Sequence, residues 1–113
     1  MNEQSRTNLV WITTDQDGEI EAMSSQAGDL LGLSSARARG QNLFLFFPGA
    51  VRAMVLDAEI ACTGWPNGRT VTLEPLTRRS VSIRYLVTAN VGAGLLHLNW
   101  FFDVDPAAAS QVH

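Results

Sequence analysis

Few side chains in this sequence are equipped for chemistry. His97 and Asn99 stand two residues apart in the stretch Leu95-Leu96-His97-Leu98-Asn99-Trp100-Phe101-Phe102-Asp103-Val104, Tyr85 lies in an alternating stretch before it, and Cys62 is the one thiol. An imidazole with a neighbouring acid is the base system of a small isomerase or hydrolase. Here, however, Asp103 falls at the end of an apolar run, and Asp15 and Asp17 read as turn residues. No nucleophile motif, phosphate loop or paired-carboxylate constellation accompanies them. The histidines are His97 and His113, too few and too far apart for a metal site, and no Cys/His spacing points to zinc. The balance is against an enzyme and toward a binding or interaction module.

A chain of 113 residues fits one domain with one core. A hydrophobic fraction of 46% and a charged fraction of 17% are those of a globular protein. The net charge is -3 and every base is an arginine, with Arg78-Arg79 the one adjacent pair, so no basic stripe exists to neutralise a nucleic-acid backbone. The lone cysteine forbids an internal disulfide and suits a reducing compartment. There is no secretory leader pattern and no apolar run long enough to span a bilayer. The expectation is a cytoplasmic protein with no membrane partner.

The elements that must position these residues follow from periodicity. Leu9 to Asp15 is rich in aromatic and β-branched residues and runs into Asp17-Gly18, a turn pair, before Glu19 to Met23; the two make a hairpin. Ser24-Ser25 and Ser34-Ser35 offer helix caps, with Gly32 and Gly40 as stops. The dense apolar stretch at Leu43-Phe44-Leu45-Phe46-Phe47 closes at Pro48-Gly49. From Ala50 to Ala61 the residues Val51, Met54, Val55, Ala58 and Ala61 recur at helical steps, while Arg52, Asp57 and Glu59 fall mostly off that stripe. Three strands follow, Arg69 to Glu74, Ser80 to Ala89 and Leu95 to Val104, the last two a hairpin about Gly92-Ala93-Gly94. The domain is thus 9–104, with a flexible segment at 1–8 and a small, polar tail at 105–113.

This order, together with four local motifs, resembles the PAS family. Thr14-Asp15-Gln16-Asp17-Gly18-Glu19-Ile20 is similar to its opening D-x-x-G-x-I hairpin. Ser24-Ser25-Gln26-Ala27-Gly28-Asp29-Leu30-Leu31-Gly32 is similar to its N-x-A-x-x-L-L-G helix, with serine for asparagine. Gly40-Gln41-Asn42-Leu43 and the following Phe-Phe-Pro resemble G-x-x-L…F-P. Phe102-Asp103-Val104-Asp105 resembles the closing D-I-T motif, with Asp105 for threonine. The resemblance implies an α+β fold: a five-stranded antiparallel sheet of order 2-1-5-4-3, with short helices and one longer helix on one face. It also implies a sensory and protein-interaction role in signal transduction. No output domain follows the closing motif in this sequence: if it is the whole protein, the output passes to an effector protein or helix in trans, and if it is excised from a larger one, the effector lies outside it.

The resemblance does not choose a ligand, because the family binds flavin, haem, other molecules or nothing. Members that form a flavin adduct carry cysteine where Leu43 stands, which rules that photochemistry out, and Cys62 reads as a small buried hydrophobe. Leu43 to Ala61 contains no histidine to ligate a b-type haem. Non-covalent flavin or another small, mostly apolar ligand stays open.

In the last strand, Leu96, Leu98, Trp100 and Phe102 form one row and Leu95, His97, Asn99 and Phe101 the other. Composition alone buries the first row and leaves His97 and Asn99 in water. Matching Asp103 to the family's closing aspartate implies the reverse. On that reading His97, Asn99 and Phe101, with Tyr85 and Met54, line a ligand pocket. Leu98, Trp100 and Phe102 join Trp11 in an outer patch through which a homodimer forms or on which a partner helix docks. The same phase puts Ile12 and Thr14 inside.

Overall fold

The computed structural model describes residues 10–73 and 81–104. The proposed terminal segments and the Arg78-Arg79 pair lie outside them. Strands β1 (Val10–Asp15) and β2 (Ile20–Met23) form the opening hairpin. The Asp15 carboxylate accepts from the amides of Asp17 and Glu19, both at 2.9 Å. Gly18 turns the chain at φ +93°, and a Cβ there would stand 2.7 Å from Phe44.

Helix α1 (Ser25–Leu31) starts where the Ser24 side chain accepts from the Ala27 amide, and ends at Gly32 in the left-handed conformation, φ 77°. Helix α2 (Ser35–Ala38) is capped in the same way by Ser34. The apolar stretch Leu43–Phe46 winds into a 3₁₀ turn held by Asn42, whose side-chain oxygen accepts from the Phe44 amide. The longer helix α3 (Val51–Cys62) follows. Then come β3 (Asn67–Leu73), β4 (Val81–Gly92) and β5 (Leu95–Val104).

The five strands form one antiparallel sheet in the order β2-β1-β5-β4-β3, as the resemblance implied. The inner face buries Ile12 of β1, Ile83, Tyr85 and Val87 of β4, and Leu98, Trp100 and Phe102 of β5 beneath Phe44, Phe47 and Met54 of the helical side. Thr14 is buried with them.

The rotation of β5 is therefore opposite to the one inferred from the closing motif. Leu98 and Trp100 are fully buried and Phe102 is 2% exposed, so they are not an outer patch. His97, Asn99 and Phe101 stand on the outer face, not in a chamber between sheet and helices. The register fixes this. Leu98, Trp100 and Phe102 lie opposite Ala89, Val87 and Tyr85 on one side and Thr14, Ile12 and Val10 on the other, all of the inward-facing set. The opposite phase would put a tryptophan, a leucine and a phenylalanine in water, each worth about 1.5–3 kcal/mol of burial, and would bury an imidazole and an amide instead. Trp11 does face outward, but its partner on β5 is Phe101, so the two tryptophans occupy opposite faces of the sheet.

Candidate functional site

Two sites deserve chemical description, one on each face. On the inner face an aromatic chain fills the space beneath the helices. Trp100 meets Phe44 edge-on with centroids 5.8 Å apart, and Tyr85 at 5.4 Å. Tyr85 lies 6.3 Å from Phe102, which stacks on Phe47 at 5.7 Å. The polar ends of these rings are satisfied from within. The Trp100 indole N–H donates to Thr14 Oγ1 at 3.0 Å, and that hydroxyl donates to the Asp15 carbonyl at 2.8 Å.

The Tyr85 hydroxyl donates to Asp57 Oδ2 at 2.6 Å. Arg69 of β3 clamps the same carboxylate from the other side, Nε to Oδ2 at 2.7 Å and Nη2 to Oδ1 at 2.8 Å, a bidentate geometry. Asp57 is 2% exposed, in the middle of the buried stripe Met54, Asp57, Ala58, Ala61 of α3. Burial pushes its carboxyl up, but the hydrogen bonds from Arg69 and Tyr85 and the guanidinium charge outweigh that and hold it below the usual carboxylate value. Burial, then the bond to the carboxylate, pushes the Tyr85 phenol up. The cluster is thus a charged carboxylate and a neutral phenol at neutral pH. It pins α3 to β3 and β4, and it offers no proton donor or acceptor poised for catalysis. Among the described residues no buried side-chain nitrogen or oxygen lacks a partner.

Of the residues proposed for a pocket, then, Met54 and Tyr85 lie in the core, where the Tyr85 hydroxyl is taken by Asp57. Asp57 itself was set off the apolar stripe in the sequence, although it stands three residues from Met54 and four from Ala61. Cys62 corrects another expectation: it is exposed at the end of α3. Partial desolvation and the charge of Glu59 push its thiol up, away from the thiolate form.

The outer face has two zones. Trp11, Phe101 and Leu86 lie directly opposite one another across β1, β5 and β4, and the row continues to Gly68 of β3. Leu86 is 44% and Phe101 38% exposed. On one side of this row Arg84 and Asp103 form a solvent-exposed ion pair at 2.8 Å. On the other side Asn99 accepts from Thr13 at 3.2 Å and donates to Asn90 at 2.6 Å. Beyond it His97 Nδ1 lies 2.8 Å from Glu21 Oε1 of β2, and Nε2 lies 3.3 Å from the Gly92 carbonyl oxygen. The bond to Glu21, helped by the Glu21 charge, the Gly92 carbonyl and the charge of Asp15, raises the imidazole above its ordinary value against the opposing effect of desolvation.

Among the described residues no cluster of histidine, cysteine and acid side chains could hold a metal ion, and no helix is long and apolar enough to cross a membrane. No family model matches the chain and no curated protein does. Solved structures do. The PAS-B domain of Drosophila melanogaster Cycle, in a variant with bound glycerol, superposes with TM-score 0.73 at 8% identity, over 85% of this chain and 99% of that one. A PAS domain from Colwellia psychrerythraea gives 0.71 at 15% identity, over 90% and 94%. A PAS domain from a two-component sensor histidine kinase gives 0.72 at 9%, over 91% and 93%. Identities this low speak for architecture alone: the chain has the PAS fold, a five-stranded antiparallel sheet in the order β2-β1-β5-β4-β3 with one longer helix.

Proposed function

We propose that the chain is a signalling domain that works by protein–protein interaction through the outer face of its sheet, with a second copy of itself as the partner. The observation that carries this reading is the apolar row Trp11–Phe101–Leu86, turned away from the helices with half-open aromatic and aliphatic side chains. Contiguous apolar surface of this kind marks interfaces on soluble domains. The row is flanked on one side by the Arg84–Asp103 ion pair and on the other by Asp15, Glu21 and His97, a polar rim around an apolar centre. A signalling role is supported by the likeness to a domain of a sensor histidine kinase.

The inner face favours the ligand-free form of this reading. Trp100, Tyr85, Phe102, Phe44 and Phe47 pack against one another between sheet and helices, and the polar atoms of Trp100 and Tyr85 are already paired.

Sedimentation over a range of concentrations tests the interface. The wild-type chain associates, and Phe101→Glu shifts it to monomer while leaving its circular dichroism and melting unchanged. A wild-type chain that stays monomeric at millimolar concentration, or a Phe101→Glu variant that associates as tightly, sinks the proposal. Native mass spectrometry of the same samples yields the bare chain mass; a retained small molecule overturns the ligand-free reading.

A further inference from the structure

We infer that His97 is a proton-operated clip: its imidazolium ties the edge strand β2 and the end of β4 to the centre of the sheet, and loss of the proton releases one of the two ties. A neutral imidazole has one N–H and one lone pair. At His97 both ring nitrogens face acceptors, Glu21 Oε1 at 2.8 Å and the Gly92 carbonyl at 3.3 Å. Either neutral tautomer serves one of them and turns a lone pair on the other. Only the doubly protonated ring satisfies both.

The surroundings carry the same sign. β2 contributes Glu21, and β1 contributes Asp15, the register partner of His97. β4 contributes the neutral Asn90, whose side chain is taken by Asn99. Arg39, beyond the β2 edge, donates to the main-chain carbonyl of Glu21 at 3.1 Å, not to its carboxylate. Two carboxylates and a carbonyl thus surround one imidazole that is open to solvent protons. The Glu21 hydrogen bond is the largest influence holding the ring above its ordinary value of 6.5.

The position gives the clip its reach. Glu21 lies on the strand at one edge of the sheet, while Gly92 ends β4 at the hairpin to β5. Two strands, β1 and β5, separate them in the sheet; the ring is carried by β5 and stands two residues from Asn99 and four from Phe101 on the outer face. Release frees either the β2 edge or the hairpin end, according to the tautomer, and removes the positive charge that faces Asp15 and Glu21 at one corner of the proposed interface. Its effect on association rests on the interaction reading above; the clip itself does not.

Two measurements keep them apart. Long-range proton–nitrogen NMR of the imidazole gives the His97 midpoint in the wild type and in Glu21→Gln, with the urea-unfolded chain as reference. The midpoint lies above the unfolded one, Glu21→Gln lowers it, and the amides of Glu21 to Met23 and Gly92 to Gly94 shift with it. A midpoint at or below the unfolded value, no response to Glu21→Gln, or amides that stay still overturns the clip. Sedimentation between pH 5.5 and 8.5 then compares wild type with His97→Gln. A pH dependence of association that the variant loses supports control of the surface by the clip. Association with no pH dependence overturns that control alone, and absence of association at every pH overturns the interaction reading.

Discussion

Replacing Asp57 by alanine removes the acceptor of three hydrogen bonds. The damage divides unequally between its partners. Tyr85 is 1% exposed, so its hydroxyl is left buried without an acceptor, at a cost of about 1–3 kcal/mol. The Arg69 side chain is 41% exposed and recovers water, so the loss there is that of a surface pair, about 0–1 kcal/mol. Alanine is the better helix former by up to roughly 0.6 kcal/mol, which offsets part of this. The net expectation is a loss of roughly 1–3 kcal/mol, or about 5–15 °C in melting temperature for a domain of this size. Urea unfolding followed by tryptophan fluorescence measures it, since Trp100 packs against Tyr85 at 5.4 Å. Adding Tyr85→Phe removes the orphaned hydroxyl, so the double variant recovers part of the loss instead of adding to it.

The pH profile carries the sign. The folded carboxyl sits below its ordinary value of 3.8, so its contribution is present above that value and disappears as pH falls through the lowered one. Wild type and Asp57→Ala therefore converge in acid. A variant within 0.5 kcal/mol of wild type at neutral pH (on the ~1 kcal/mol scale of such losses), additive single effects, or curves that stay parallel into acid refutes the account of the cluster.

Two further changes test the packing. Thr14→Val keeps the shape but removes the acceptor of the Trp100 indole, leaving a buried N–H unpaired; a loss of about 1–3 kcal/mol is expected in urea unfolding, with a shift of the buried tryptophan's emission. Gly68→Ala drives a Cβ into the Tyr85 carbonyl oxygen on the neighbouring strand. β3 then has to move off β4, and hydrogen exchange along Arg84 to Val87 speeds up while the β1–β2 hairpin keeps its protection.

Most of the architecture was legible because its signals are local. The Asp17-Gly18 turn, the serine caps and the helical recurrence at Met54, Ala58 and Ala61 each report the geometry of a few bonds, and each stands where it was expected. The rotation of β5 was not legible in that way. Alternation says that Trp100 and Phe101 point apart, not which of them faces the helices. One matched aspartate, Asp103, carried less information than the contrast between the row Leu98, Trp100, Phe102 and the row His97, Asn99, Phe101. Burial follows the summed cost of transfer from water, not the position of a single letter. Asp57 escaped for a related reason: an acid in a helix reads as solvent-facing until a tyrosine on one strand and an arginine on another are seen to converge on it. Its spacing from Met54 and Ala61 was the available signal, and Val55, which took its place in the expected stripe, is 37% exposed.

The strand order has a consequence for how the chain acquires its shape. β5 lies between β1 and β4, and Val10 pairs with Phe102, ninety-two positions later. Both hairpin halves can be assembled as soon as they are synthesised, yet no strand pairing joins them until residues 95–104 leave the ribosome. Until then β1 and β4 each present an open edge on which another nascent chain can add a strand. Such long-range closure makes for slow folding, and a chain shortened before β5 keeps two separate hairpins in place of one sheet.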